Sequence, residues 1–108
     1  MTNESQDAPR PPRMTLDPDS RLVVIDGQPI PLSKTEFGVL QFLIERRGEV
    51  CTRRQIIAAV QGEKYPATER SVDVQIAYLR KKLGSAANLI ETVRGVGFRV
   101  RIQAESLP

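Results

Sequence analysis

Residues 68–102 constrain the fold of this chain more than any other stretch. Within them, apolar residues recur at spacings of four, three and four: Val72, Ile76, Leu79 and Leu83. This period places all four on one face of an α-helix. Thr68 is suited to cap the helix at its N-terminus, and Gly84 to end it. The sequence therefore predicts a helix over about residues 69–83 with one face in a protein core.

A β-hairpin is predicted directly after this helix, over about residues 89–102. Leu89–Val93 is typical of one strand, Arg94–Gly97 of a turn, and Phe98–Ile102 of the return strand. Alternation along the return strand puts apolar side chains on one face and cations on the other, namely Arg99 and Arg101. We interpret the turn glycines as serving backbone geometry, because a strand and not a phosphate-binding helix follows them.

The chain before the helix predicts a small sheet. Short β-type segments lie at Met14–Asp17, Arg21–Ile25 and Gln28–Leu32. Between the last two, Asp26-Gly27 is a strong signal for a two-residue hairpin turn. Two alternating prolines in the third segment favour an edge strand, because proline lacks the N–H that a central strand donates.

Two capping boxes predict two further helices. Ser33 with Glu36 opens a helix that runs to about Gly48, and Thr52 with Gln55 opens a shorter one. We expect the shorter helix to bury three apolar side chains, those of Ile56, Ile57 and Val60. Residues 61–67 form a predicted polar loop, and residues 85–88 a predicted linker.

These elements predict one α+β domain over residues 14–102. It has an N-terminal antiparallel sheet, a three-helix core and a C-terminal β-hairpin. Residues 1–13, rich in proline, are expected to be a disordered arm or linker, and residues 103–108 a flexible tail. A basic arm that reaches a nucleic-acid groove through Arg10 and Arg13 is a weaker alternative.

Positive charge is concentrated in the helix and hairpin. Residues 69–102 hold seven cations and three anions, a net charge of +4, whereas the whole chain has +3. Such an asymmetry is typical of a surface that meets a polyanion. A solvated surface without a ligand is the alternative that charge alone leaves open.

The residue inventory excludes several kinds of chemistry. The chain has no histidine and one cysteine, Cys51, so we expect no zinc site, no internal disulfide and no histidine-activated nucleophile. We expect Cys51 to be a small buried residue, and no metal, cofactor or enzymatic activity. Because no apolar run is long enough to cross a membrane and the N-terminus is polar, a cytoplasmic protein is expected.

The helix face opposite the apolar stripe combines polar and apolar side chains. It carries Arg70, Ser71, Asp73, Val74, Gln75, Ala77, Tyr78, Arg80, Lys81 and Lys82. A purely solvated helix rarely exposes valine, alanine and tyrosine together. A helix in the DNA major groove can use all three, because apolar side chains contact thymine methyls while polar ones contact base edges.

Four motifs together resemble the DNA-binding effector domain of OmpR/PhoB-type response regulators. They are Pro31–Phe37, Arg54–Ile57, Arg70–Leu83 and Thr92–Phe98. The resemblance covers residues 14–102 and implies a winged helix-turn-helix that regulates transcription by binding double-stranded DNA. It also implies head-to-tail pairs on DNA and a contact of residues 61–67 with RNA polymerase. In this family a phosphorylatable receiver domain normally precedes the effector domain, whereas here a linker-like arm does, so we expect either the excised output domain of a response regulator or a stand-alone regulator.

The resemblance implies roles for individual residues. Arg70 and Arg80 look like phosphate contacts, Arg94 looks like the wing arginine in the minor groove, and the groove-facing set is Ser71, Val74, Gln75 and Tyr78. Lys81 and Arg99 complete the predicted DNA-binding residues. Asp73 is expected to hold the helix against a neighbouring element.

Three positions depart from the family pattern. Tyr78 stands where an arginine is frequent, Ala77 where a basic or polar residue is frequent, and Gln61 where a tryptophan is usual. Gln61 puts the packing of the loop at residues 61–67 in doubt. Tyr78 and Ala77 put the base preference in doubt but not the binding of the DNA backbone. These two residues also keep an alternative open, a winged-helix module that docks a protein through the same helix and hairpin.

Overall fold

The computed structural model describes residues 13–60 and 68–101. The predicted N-terminal arm up to residue 12, the loop at residues 61–67 and the tail from residue 103 lie outside the described residues, as does Ile102. Within the described part, the order of elements is three strands, a helix, a short strand, two helices and a hairpin. This order matches the α+β class predicted from the sequence.

The first sheet consists of β1 (Met14–Asp17), β2 (Leu22–Ile25) and β3 (Gln28–Pro31), paired antiparallel in that order. The backbone at Asp26 and Gly27 has positive φ values of 50° and 85°, as the predicted two-residue turn between β2 and β3 requires. β3 is an edge strand and has a partner on one side only, so the N–H groups that its two prolines lack are not needed by a further strand.

The three helices begin at caps that the sequence encodes. In α1 (Lys34–Glu45) the Ser33 and Glu36 side chains each accept a bond from the other's backbone N–H, at 3.0 and 2.9 Å. The same reciprocal pair, Thr52 with Gln55, opens α2 (Arg53–Val60). In α3 (Glu69–Leu83) the Thr68 hydroxyl accepts from the Ser71 backbone N–H at 3.1 Å. Local sequence thus sets where each helix starts.

The second sheet contains a strand that the sequence did not predict. β4 (Cys51–Thr52) pairs with β6 (Gly97–Val100), which in turn pairs with β5 (Ile90–Val93). The interpretation of Gly97 as a turn residue was wrong, because it lies in β6. A Cβ there would lie 2.0 Å from the Cys51 carbonyl oxygen, so the close approach of β4 requires glycine. The turn itself uses Gly95, whose φ is 79°.

The predicted linker after α3 is also structured. Residues Gly84–Leu89 form a 3-10 helix, in which Ala86 and Leu89 are buried. The prediction missed it because a six-residue segment is too short to show a helical period. This tight turn sets how the hairpin β5–β6, hereafter the wing, follows α3.

One core joins both sheets and all three helices. All four residues of the predicted stripe on α3 are buried, which confirms that prediction. In α2 only Ile56 is fully buried, while Ile57 and Val60 are partly buried and pack against the core. The core includes Val23 of β2, Leu40 and Leu43 of α1, and Phe98 and Val100 of β6. Because α3 is anchored along one face, its opposite face is held outward.

Candidate nucleic-acid interface

The outward face of α3 presents a continuous row of exposed residues. We call it the outer line; it consists of Arg70, Val74, Ala77, Tyr78 and Lys81. Their spacings of four, three, one and three keep them on one side of the helix, opposite the buried stripe. Val74 is 41% exposed and Tyr78 is 54% exposed, which is unusual for large apolar side chains. Ala77 belongs to this row by its spacing, although it was not among the predicted binding residues.

Two predicted groove residues, Ser71 and Gln75, lie on one flank of the outer line and are partly buried. The Ser71 hydroxyl donates a 2.6 Å hydrogen bond to the Thr68 carbonyl oxygen. Ser71 therefore takes part in the cap of α3, and its hydroxyl proton is already committed there. The flank also carries Lys82, further along the helix.

On the opposite flank, two arginines lie over the ring of Phe98. The guanidinium carbon of Arg53 lies 5.0 Å from the ring centroid and that of Arg80 lies 5.9 Å from it. We call Arg53, Phe98 and Arg80 the arginine clasp. Both distances are within the range of cation–π attraction. The clasp connects the start of α2, the middle of the wing and the last turn of α3.

Hydrogen bonds fix both arginines of the clasp. Arg53 Nε lies 2.7 Å from Asp73 Oδ1, which confirms the expectation that Asp73 holds α3 to a neighbouring element. Arg80 Nη2 donates to the Ile90 carbonyl oxygen and to Thr92 Oγ1, each at 2.8 Å. Arg80, predicted as a phosphate contact, thus has two acceptors in β5. Both bonds use the same nitrogen, so the N–H groups of Nε and Nη1 keep their capacity to donate.

A second ion pair ties α3 to α1. Lys82 Nζ lies 2.6 Å from Glu36 Oε1, and the Glu36 side chain is only 7% exposed. Burial raises the pKa of the Glu36 carboxyl, but the hydrogen bonds from Lys82 and from the Ser33 backbone outweigh burial and bring this pKa below its ordinary value. The Lys82 charge is therefore used within the protein.

The wing carries both paired and unpaired cations. Arg94 lies in the exposed turn, beside Val96, which is 46% exposed. Arg99 Nε lies 2.6 Å from Glu91 Oε1 on the neighbouring strand, and this hydrogen bond lowers the pKa of Glu91. Among the described residues, no side-chain hydrogen bond or ion pair engages Arg70, Lys81 or Arg94. Within α3 and the wing, these three cations are therefore available to an external anion.

The described residues contain no group of three or more acidic, cysteine or histidine side chains that could hold a metal ion. Cys51 is buried, as expected, and burial raises the pKa of its thiol above the ordinary value. No helix in residues 13–60 and 68–101 is long and apolar enough to cross a membrane. The outer line and the wing are the candidate site because both expose cations and large apolar side chains.

Three helices with a C-terminal hairpin beside the third one define a winged helix-turn-helix domain. Residues 27–100 match the model of the family described as "Transcriptional regulatory protein, C terminal". The chain belongs to this family. The match confirms the resemblance to OmpR/PhoB-type effector domains that the four motifs indicate.

Relatives in sequence and in structure agree with this assignment. The chain is 47% identical over 88 residues to "Response regulator ArlR" of Staphylococcus saprophyticus, covering 80% of this chain and 40% of that protein. It is 44% identical over 87 residues to "Phosphate regulon transcriptional regulatory protein PhoB" of Pseudomonas aeruginosa, covering 80% and 38%. The chain thus spans about two fifths of the length of these relatives.

A solved structure shows the same fold in contact with DNA. It is the crystal structure of the response regulator AdeR DNA-binding domain in complex with an intercistronic region. The TM-score is 0.73 at 30% identity, and the alignment covers 84% of this chain and 96% of that domain. Strands, helices and wing therefore correspond over nearly the whole of a domain that binds DNA.

Proposed function

We propose that this chain is the output domain of a response regulator, which binds double-stranded DNA in a sequence-specific manner to regulate transcription. The observation that carries the proposal is the outer line. Exposed cations that have no partner among residues 13–60 and 68–101 lie at both ends of the projecting face of α3. The crystal structure of the AdeR domain with DNA supports it, because that domain has the same fold.

The proposed binding mode places α3 in the major groove and the wing in the adjacent minor groove. Arg70 and Lys81 contact phosphates from the two ends of the outer line, and Arg94 enters the minor groove from the wing turn. Val74 and Tyr78 face the base edges in the major groove. Phosphate contacts supply most of the affinity and position the helix, whereas contacts with base edges supply specificity.

The other predicted residues have modified roles in this proposal. Ser71 and Gln75 reach the groove from the flank of α3. Arg80 and Arg99 contact phosphates with the donors that their protein partners leave unused, so each stabilises the domain and the complex together. In this mode a substitution of Arg80 or Arg99 affects folding as well as binding.

Further parts of the proposal concern the whole protein. A receiver domain precedes residues 14–102, pairs of domains bind head-to-tail on direct repeats, and residues 61–67 contact RNA polymerase. The names of the relatives as response regulators, and their greater length, support a receiver domain. In this function the domain is not an enzyme and acts in the cytoplasm, where its DNA is located.

The experiment that tests the proposal is a selection of bound duplexes from a random pool. The recovered duplex is then titrated with the domain at increasing salt, beside an unselected duplex of the same length. We expect one enriched sequence, tighter binding to it than to the control, and affinity that falls steeply with salt. Weak binding that is the same for both duplexes and insensitive to salt contradicts the proposal.

The exposed apolar residues Val74, Tyr78 and Val96 favour a second candidate function, the docking of a protein through α3 and the wing. A partner held by apolar contacts is retained at about 0.5 M salt, where exposed charges are strongly screened. Retention of a protein from a lysate under these conditions, with no DNA retained at low salt, supports this alternative over the first.

A further inference from the structure

The centre of the outer line is free of charge. Its three middle residues are Val74, Ala77 and Tyr78, all exposed, and the cations Arg70 and Lys81 stand at its ends. Within the part of the chain that the structure describes, large exposed apolar side chains occur at only three places: Val74, Tyr78 and Val96 in the wing turn. Two of the three thus lie next to each other on α3. We call Val74, Ala77 and Tyr78 the apolar patch.

The spacing of these residues suits a helix that lies in the major groove. Positions 74, 77 and 78 are mutual neighbours on a helix surface, so the three side chains form one contiguous contact area. Arg70 and Lys81 are separated by about 16 Å along the helix axis. The major groove admits an α-helix, and each cation lies about one turn beyond the apolar patch, so both long side chains extend toward phosphates when the patch meets the base edges.

The chemistry of the groove floor then limits which bases the patch accepts. Each base pair presents hydrogen-bond donors and acceptors there, and thymine alone adds an apolar group, its C5-methyl. A guanine O6 or N7 loses its bound water when the patch contacts it, and valine and alanine side chains donate no hydrogen bond in return. The acceptor that is left unpaired opposes binding. A thymine methyl instead gains from contact with the patch because both surfaces leave water.

From these observations, and resting on the proposed function, we infer that the apolar patch recognises thymine C5-methyl groups. Binding sites of this domain carry thymines at neighbouring base pairs opposite the middle of α3. The ring of Tyr78 and the methyls of Val74 and Ala77 contact those methyl groups. The Tyr78 hydroxyl is not required for this recognition. Charged flanks at positions 70 and 81 distinguish this surface from one built for an apolar protein partner.

Replacement of thymine by deoxyuridine tests the inference, because it removes the methyl and leaves every hydrogen-bonding group of the base pair in place. The probe is the duplex recovered by selection, with each thymine replaced in turn. At one or more neighbouring central positions we expect a loss of about fourfold in affinity, the factor that corresponds to burial of one methylene-sized group. Thymines outside the centre give no change.

Variants of the patch connect the effect to particular side chains. Tyr78→Ala and Val74→Ala each remove the preference for thymine over deoxyuridine at one position. Tyr78→Phe keeps the preference, because the ring remains. Lys81→Ala is the matched control on the same line, and it weakens binding to the thymine and deoxyuridine duplexes by the same factor. Far-UV circular dichroism confirms that each variant is folded.

The outcomes separate this inference from the proposed function. A selected duplex that binds tightly but loses less than about twofold at every deoxyuridine position overturns the inference alone. It leaves sequence-specific binding intact, with specificity assigned to other residues. A pool that yields no enriched duplex overturns both the inference and the proposed function. Docking of a protein on the apolar patch then explains why the patch is exposed.

Discussion

Arg80 and Lys81 are neighbours in the sequence of α3, yet they face two different regions of the molecule. Arg80 lies in the arginine clasp, over the ring of Phe98 and bonded to two oxygens of β5. Lys81 lies on the outer line, exposed and without a side-chain bond to any described residue. Arg80 turns toward the protein and Lys81 toward solvent.

The same contrast runs through all cations of α3 and the wing. Arg80, Lys82 and Arg99 have acceptors within the domain, whereas Arg70, Lys81 and Arg94 have none among the described residues. A count of basic residues therefore does not distinguish the cations that have protein partners from those that are exposed without one. Arg80 joins α3 to β5, Lys82 joins α3 to α1, and Arg99 joins β6 to β5. The unpaired cations are exposed on the surface that these bonds hold together.

The largest expected difference in stability is between substitutions of one aromatic residue in each region, Phe98 in the clasp and Tyr78 on the outer line. Phe98→Ala removes a buried ring and the partner of both clasp arginines, so we expect the free energy of unfolding to fall by about 3–5 kcal/mol. Tyr78→Ala, on the outer line, changes it by less than about 0.5 kcal/mol. Urea unfolding of both variants measures the difference. Equal losses contradict the division into two regions.

Substitutions of the neighbouring cations Arg80 and Lys81 should also differ in their effects on stability. We expect Arg80→Ala to lower the free energy of unfolding by about 1–3 kcal/mol, because the Ile90 carbonyl and Thr92 hydroxyl lose a charged donor. Lys81→Ala leaves stability within about 0.5 kcal/mol of the wild type and weakens DNA binding. Thermal or urea unfolding, paired with a binding titration, tests this. A stable Arg80→Ala variant shows that the clasp does not hold the wing.

The Lys82–Glu36 pair should make stability depend on pH. The pKa of Glu36 is lowered in the folded state from its ordinary 4.5, so the pair stabilises the fold above that pH, and this stability is lost as the pH falls through the lower folded-state pKa. Glu36→Gln keeps an acceptor for the Ser33 backbone but loses the charge. We expect a loss of about 1–2 kcal/mol at neutral pH that shrinks below pH 4.5.

Glu49→Gln is the matched control for this experiment. Glu49 pairs with Arg46 at 3.8 Å and is 70% exposed, so its substitution should change stability little at any pH. Unfolding curves of the wild type and both variants between about pH 3 and pH 7 give the comparison. A Glu36→Gln variant that follows the control at every pH shows that the pair is not stabilising.

Much of the fold could be predicted from local signals. The three helix caps, the Asp26–Gly27 turn and the apolar stripe of α3 each depend on residues within a few positions of one another. Features that depend on distant contacts could not. The two-residue strand β4 has no period, and the need for Gly97 comes from the Cys51 carbonyl of another strand.

The candidate site likewise has features that the sequence predicts and features that depend on distant contacts. The spacing of its residues predicts the outer line, because position on a helix follows from sequence number alone. It does not show that Arg80 bonds to β5 or that Lys82 bonds to Glu36, which lies 46 residues away. Which cations have partners within the domain is therefore decided by the tertiary structure.

The salt dependence of DNA binding tests most directly whether the unpaired cations of the outer line contact DNA. Arg70→Ala/Lys81→Ala removes two proposed phosphate contacts, and Arg21→Asn/Arg46→Ala removes the same charge outside α3 and the wing. The slope of log affinity against log salt falls by about 0.9 for each phosphate that the protein no longer neutralises. We predict that the slope falls by about 1.8 for the first variant and stays at the wild-type value for the second. Equal slopes for the two variants contradict the central claim that these cations bind phosphates.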